Sequence, residues 1–338
     1  MAQAILRRPW SAAWGAWASM PDAPGPRLRR RHVAILAAIA GVFSLAGYVG
    51  IAWVAADRWL HWESPPMTMS LDSVPLDVEE VTFPSRTGDR LSGWYVEASG
   101  TGSADLGCSP EERTLVVLLH GFSDRRESLL AHADFLHQHG CDVLLFDFSG
   151  SGTSDGDVRT IGVRAQEDAL GALDYAEGRF AGEMPRTVLM GISMGAVVAL
   201  SVGSDERVDA VVAEAPYSDF SAVFGGWLRG RIGPLAPFVK PLALRLMEWR
   251  SEPGVRSLSA VDAATELRAT PVFVIENELD GSVPPGSAEA VASAAEDAEH
   301  WLVPQSAHGQ GLAASAEEYQ ERVLSFISSA WLDVSEVA

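Results

Sequence analysis

Apolar positions along this chain fall into three patterns. One is a single long run without a charged residue, Val33 to Ala56. A second is a set of short continuous apolar runs bounded by turn residues, such as Leu115–Leu119, Thr187–Met190 and Pro271–Ile275. Runs of that length fit strands buried on both faces. The third is apolar residues recurring at three- and four-residue spacing between those runs, as helices that cover a sheet require. The patterns predict strands near 78–84, 90–97, 114–120, 142–148, 186–192, 208–214, 271–277 and 299–304. Helices are predicted near 124–139, 162–181, 194–204, 285–297 and 315–332. Strand and helix alternate, so the expected class is α/β: a mostly parallel eight-stranded sheet with helices on both faces.

The stretch from Tyr217 to Arg268 interrupts this alternation. It lies between two core strands and is too long for a simple connection. It is rich in Phe, Trp and Leu, and Pro234, Pro237 and Pro241 are expected to break it into short helices. Most of its apolar residues should pack on the core, and a few are expected to line a pocket. The resulting organisation is a basic tail over 1–32, an apolar span over 33–56, an extended linker over 57–77 carrying Pro65, Pro66 and Pro75, and a domain over 78–334 with its insertion at about 217–268.

The uncharged run is long enough to cross a hydrocarbon layer of about 30 Å. Arg27, Arg29, Arg30 and Arg31 precede it, which by the positive-inside bias puts the N-terminus in the cytoplasm and the large domain outside. Trp53, Trp59 and Trp62 gather at its far end, as an interfacial aromatic belt would. Val54-Ala55-Ala56 would also suit a signal peptidase, but the long basic region and long apolar run favour an anchor. Trp10, Trp14 and Trp17 recur beside Arg7 and Arg8, either as a short helix on the inner membrane surface or as a tail without fixed structure.

Charge divides at the same place. Up to Ala56 there are six arginines and one acid, Asp22, hence +5; the whole chain carries −20, which leaves −25 for the rest. No basic stripe exists beyond the anchor flank, so nucleic acid is not an expected partner. The insertion is locally basic through Arg229, Arg231, Lys240, Arg245 and Arg250, which would suit an anionic lipid surface or simply a solvated helical face.

The chemistry begins at Gly191-Ile192-Ser193-Met194-Gly195, set between a predicted strand and a predicted helix. In that context Gly-x-Ser-x-Gly is a nucleophile elbow, a tight turn that lifts the serine hydroxyl above the sheet. Such a serine needs a base, and the base an orienting acid, following in the chain order Ser, acid, His. Asp280 follows the strand near 271–277, and His308 follows the strand near 299–304. Glu278 and Glu276 compete with Asp280, and Glu214 is a more distant alternative. The backbone N–H groups of Met194 and Phe122 are expected to form an oxyanion hole. His120, just before Phe122, is expected to support that turn rather than act as a base.

These residues give the chain a clear likeness. It resembles the α/β-hydrolase superfamily, and within it membrane-anchored bacterial hydrolases of the serine aminopeptidase S33 type. The likeness runs from about Val78 to Trp331. It rests on Arg86–Tyr95, His120-Gly121-Phe122, Phe146–Ser154, the elbow, Asp280 and His308. It implies Ser193 as nucleophile, Asp280 as orienting acid and His308 as base. The chain departs from the pattern at Glu276-Asn277, where His-Gly is usual, and at Ser149–Gly152, and both departures are expected to alter the rim of the site. The implied activity is cleavage of a carboxylic ester, with thioester or peptide cleavage and acyl transfer open to the same residues, and a non-catalytic envelope binding protein as the remaining class. The expected substrate is a small-molecule or lipid acyl compound. Neither metal nor organic cofactor is called for, and no zinc-type Cys/His spacing or phosphate-binding Gly-Lys-Ser/Thr motif occurs.

Two cysteines remain, Cys108 and Cys141. The hydrolase fold puts both at the N-terminal edge of neighbouring parallel strands, away from Ser193. They are either bridged or two unrelated thiols.

Overall fold

The computed structural model describes residues 26–63, 70–73, 76–99, 108 and 113–330. Trp10, Trp14, Trp17 and the arginines beside them, Pro65, Pro66, Pro75 and the terminus from Trp331 onward lie outside the described residues. The chain divides into two units, Met1–Gly50 and Ile51–Ala338.

Helix α1 (Pro26–Leu60) begins in the first unit and ends in the second. Its Arg29–Leu60 part is long and apolar enough to cross a membrane, a property that signal sequences share. Residues 57–60 are helical, not the start of an extended linker. The helix continues because its last turns are packed: Ala52, Ala55, Ala56, Trp59 and Leu60 are all buried in the second unit.

That unit contains an eight-stranded sheet. Its strands are β1 (Glu79–Pro84), β2 (Arg90–Val96), β3 (Thr114–Leu119), β4 (Asp142–Phe146), β5 (Arg186–Ile192), β6 (Ala210–Glu214), β7 (Val272–Asn277) and β8 (Ala298–Val303). The order across the sheet is β1-β2-β4-β3-β5-β6-β7-β8. β2 is antiparallel to both of its neighbours, and all pairs from β4 to β8 are parallel. Every residue of β3, β4 and β6 is buried, as their unbroken apolar runs require. The edge strand β1 instead alternates. Helices α2 (Leu130–Gln138), α3 (Arg164–Arg179), α4 (Met194–Val202), α8 (Ser287–Ala294), a short α9 (Gly311–Ala314) and α10 (Ala316–Ser329) complete the layers.

Register sets the site. Leu119 of β3 pairs with Gly191 of β5, and Ile192 pairs with Glu214 of β6. The turn at His120–Phe122, the elbow and the end of β6 therefore leave the sheet side by side, at the carboxyl ends where open α/β sheets place their sites.

The insertion forms α5 (Phe220–Ile232), α6 (Ala236–Arg250) and α7 (Ala260–Glu266). Pro234 and Pro237 fall between or at the start of helices, as expected. Pro241 does not break α6. It costs one intrahelical hydrogen bond, but the buried face of Val239, Ala243, Leu244 and Met247 holds the helix on the domain. Beyond α6, Glu252 is fully buried and accepts the backbone N–H groups of Val163 (3.2 Å) and Arg164 (3.1 Å) at the start of α3. Burial pushes its carboxyl up to about 7, against the opposing effect of those hydrogen bonds.

Cys108 and Cys141 are joined in a disulfide, with Cα atoms 5.1 Å apart. Cys141 immediately precedes β4, so the bridge sits at the opposite end of the sheet from the elbow.

Candidate active site

The elbow has the geometry that its glycines imply. Ser193 has φ +56° and ψ −112°, a conformation rarely adopted by a residue with a side chain. A Cβ on Gly191 would lie 2.2 Å from the Gly195 backbone, and one on Gly195 would lie 2.0 Å from the Leu119 carbonyl oxygen. Only glycine lets β5, α4 and β3 approach this closely. The Ser193 N–H is tied to the Glu214 carbonyl at 2.8 Å, which fixes the turn.

Ser193, His308 and Asp280 are brought together. The Ser193 hydroxyl donates to His308 Nε2 at 2.9 Å, and His308 Nδ1 donates to Asp280 Oδ2 at 2.6 Å. Asp280 Oδ1 accepts the N–H groups of Ser282 (2.7 Å) and Val283 (3.2 Å). Burial raises the Asp280 carboxyl, but the hydrogen bond and charge of His308 and the two N–H donors outweigh it, holding the group below the ordinary carboxylate value.

The competing carboxylates point elsewhere. Glu278 accepts the Gln305 N–H at 2.7 Å, and Glu276 pairs with His300 at 2.9 Å. Glu214 is buried and accepts from Asn277 Nδ2 (3.2 Å), the Gly311 N–H (2.8 Å) and the Tyr319 hydroxyl (2.7 Å). Asn277 Oδ1 in turn accepts the Gly309 N–H at 2.8 Å. The loop carrying His308 is thus held on its C-terminal side by a network that sequence reasoning did not find. Its bonds span 32 to 105 residues of sequence and follow no local pattern. The departures at Glu276-Asn277 and Ser149–Gly152 do not reach the rim. None of these residues lines the cavity at Ser193, and Asn277, Ser149 and Ser151 are buried.

Met194 is the first residue of α4, so its N–H has no partner within the helix. His120 is fully buried, with Nδ1 donating to the Gly121 carbonyl (2.7 Å) and Nε2 accepting the Phe148 N–H (3.1 Å). Burial lowers its pKa to about 4, so it is neutral and ties the ends of β3 and β4. Arg159 supports the same turn, donating to the carbonyls of Phe122 (2.8 Å) and Asp124 (3.1 Å). Burial also raises the Asp124 carboxyl beside it.

A cavity of about 1300 Å³ opens over Ser193 and His308. On one side it is walled by Phe220, Val223 and Trp227 of the insertion; on the other it reaches Phe135 of α2 and Gln320 of α10. Trp59 also lines it, although the sequence places that residue in a membrane-interface belt. Trp59 is 7% exposed, because the last turn of α1 turns it into the domain. Among the described residues, no cluster of His, Cys, Asp and Glu is arranged to hold a metal ion.

Comparison with known proteins agrees with this architecture. The serine aminopeptidase S33 family profile matches residues 110–252. An uncharacterised protein of Mycobacterium tuberculosis, Rv2307c, is 28% identical over 284 residues, covering 83% of this chain and 89% of that protein. The polyketide transferase af380 of Aspergillus fumigatus is 31% identical over 146 residues, covering 42% of this chain and 46% of its own length. Among solved structures, the Pyrococcus furiosus esterase Pf2001 superposes with a TM-score of 0.61 at 22% identity, over 79% of this chain and 97% of that one. The sheet order, the elbow and these structural neighbours lead to one assignment: the chain has the α/β-hydrolase fold, with the serine aminopeptidase S33 match falling on its residues 110–252.

Proposed function

We propose that this protein is a serine hydrolase that cleaves carboxylic esters through an acyl-enzyme. The observation that carries this reading is the continuous hydrogen-bond chain from Ser193 Oγ through His308 to Asp280, below an open cavity. Ser193 Oγ attacks the ester carbonyl carbon while His308 Nε2 takes its proton. The N–H groups of Met194 and Phe122 hold the negative oxygen, and Asp280 stabilises the imidazolium. The ester C–O bond then breaks, and the proton on Nε2 passes to the leaving alkoxide. Water attacks the acyl-serine carbonyl and gives its proton to His308; the acyl C–Oγ bond then breaks, the proton passes from His308 to Ser193 Oγ, and the carboxylic acid leaves.

The esterase neighbour supports water as acceptor. The transferase relative supports a second reading, in which an alcohol takes the acyl group from Ser193 in place of water. Helix α1 serves in this reading as a single-pass anchor, with the N-terminus inside and the catalytic domain outside the cytoplasmic membrane. The Cys108–Cys141 disulfide supports that side, since such bridges persist in oxidising compartments.

A fluorophosphonate probe tests the nucleophile. Wild type should be labelled and Ser193→Ala should not; equal labelling of the two proteins would move the nucleophile elsewhere. Adding an alcohol acceptor and analysing the products separates hydrolysis from transfer.

A further inference from the structure

Trp59 belongs to α1, yet it forms part of the wall above Ser193. Its ring stacks on Phe122 with centroids 4.9 Å apart, and meets Phe220 (5.2 Å), Phe224 (5.8 Å) and Trp227 (5.7 Å) edge-on. The turn is pinned where it enters the domain: the Arg159 N–H donates to the Leu60 carbonyl at 3.1 Å, and Arg250 pairs with Asp57 at 2.6 Å.

Two further observations concern what this wall faces. The indole N–H groups of Trp59 and Trp227 are both buried without a hydrogen-bond partner among the described residues. Buried tryptophan N–H groups usually find one, so the two rings are placed here by their apolar faces and not by their polar ends. Exposed apolar residues also meet where the helix adjoins the insertion. Trp53 (42% exposed) and Val54 (66%) lie on α1, and Trp53 sits 6.5 Å from Trp249, which is 76% exposed on α6. The guanidinium of Arg250 lies over Trp53 at 4.5 Å, giving this apolar strip the basic edge expected at a headgroup layer. From Ala56, the end of the uncharged run, to Trp59 the helix rises only about 4.5 Å. The cavity wall therefore begins where the apolar span stops.

We infer that the last turn of α1 is an acyl-binding wall, and that the substrate is a long-chain carboxylic ester resident in the bilayer that α1 crosses. This rests on the serine-hydrolase reading. The chain passes from the bilayer along Trp53 and Trp249, lies against Trp59 and Trp227, and presents its ester carbonyl to Ser193. Trp59 is a specificity residue: a short ester does not reach the wall, and a long one does.

The test uses the full-length protein in phosphatidylcholine vesicles with p-nitrophenyl butanoate and dodecanoate. The readout is the ratio of kcat/KM for the long ester over the short one, which does not depend on the fraction of enzyme that folds. Trp59→Ala and Trp227→Ala should each lower the ratio at least ~10-fold, since each methylene held by an apolar pocket contributes to discrimination. Trp59→Phe, which keeps an aromatic wall, should stay within about threefold of wild type. Dioleoylglycerol in the same vesicles as the enzyme should be cleaved at least ~10-fold faster than in separate vesicles, because a bilayer-resident diacyl substrate exchanges slowly. An unchanged ratio in both alanine variants overturns the wall. Equal rates from the two vesicle arrangements overturn delivery from the bilayer. A wild type that cleaves butanoate and prefers it to dodecanoate overturns this inference alone, whereas one that cleaves no ester overturns the hydrolase reading beneath it.

Discussion

The two sides of the cavity are built from different forces. On the side of His308, polar groups share bonds: Glu214, Asn277, Tyr319 and the N–H groups of Gly309 and Gly311 form a buried network of directional bonds. On the side of the insertion, Trp59, Phe220, Phe224 and Trp227 meet ring to ring, with two indole N–H groups unpaired. Directional bonds in a low-dielectric interior fix atoms to fractions of an ångström, as the proposed proton transfer between Ser193 and His308 would require. Ring contacts prefer stacked or edge-on geometry but are softer than hydrogen bonds, and they fix a shape rather than an atom. The first side should therefore govern rate and the second selection and stability.

The sharpest way to break this contrast lies at the acid. Asp280→Asn should lower kcat about ten-thousand-fold, by losing the tautomer that His308 needs. Glu278→Gln, whose carboxylate holds Gln305 instead, should stay within about threefold. A larger loss from Glu278→Gln would move the acid along the loop.

The next effect concerns stability where the insertion joins α3. The pKa of Glu252 rises from an ordinary 4.5 to about 7 on folding, so the folded state holds an extra proton between those values. Stability is then greatest below pH 4.5 as far as this group is concerned, and is lost as pH rises through about 7. The loss is on the order of 3 kcal/mol. Glu252→Gln should flatten that part of the profile; urea midpoints at acidic and alkaline pH that fall as steeply as in wild type would refute the assignment.

Glu214→Gln sharpens the contrast from the polar side. The amide keeps the shape but replaces one acceptor with a donor facing Gly311 or Tyr319. It should lower kcat about tenfold with KM little changed, because only the placement of His308 suffers. A change confined to KM would show that the network shapes binding instead. The smallest effect belongs to the rings. Phe224 is buried against Trp59 and Trp227 without lining the cavity. Phe224→Leu should cost about 1–2 kcal/mol in thermal or urea unfolding, the usual range for reshaping a packed apolar site. A stability equal to that of wild type would mean the cluster is loosely packed.

Much of the fold was legible because parallel strands buried on both faces write unbroken apolar runs into the sequence. All eight predicted strands fall within two residues of their observed ends. The elbow was legible because Gly191 and Gly195 answer a local steric demand. What sequence left open was tertiary. Glu276 lies in β7 and Glu278 and Asp280 follow it closely, and only the pleat of the strand and the path of its loop decide which carboxylate meets His308. Glu214 could be read as a reserve acid because nothing local shows that Asn277, Gly311 and Tyr319 converge on it. Trp59 was misplaced for the same reason. Its partners include Phe122 after β3 and rings some 160 residues away in α5, and the tryptophans around it suggest a membrane belt. Pro241 was a local rule overridden by the buried face of α6.

The Cys108–Cys141 bridge has a practical consequence for anyone preparing this protein. It closes a loop of 33 residues at the end of the sheet remote from Ser193. On the chain-entropy model, that closure stabilises by about 4 kcal/mol. Material made in a reducing cytosol and material exported to an oxidising space should therefore have the same turnover per active molecule but different half-lives on warming. Specific activities from the two sources become comparable only after the thiols have been titrated, and an inactive batch is to be checked for its bridge before its sequence is doubted.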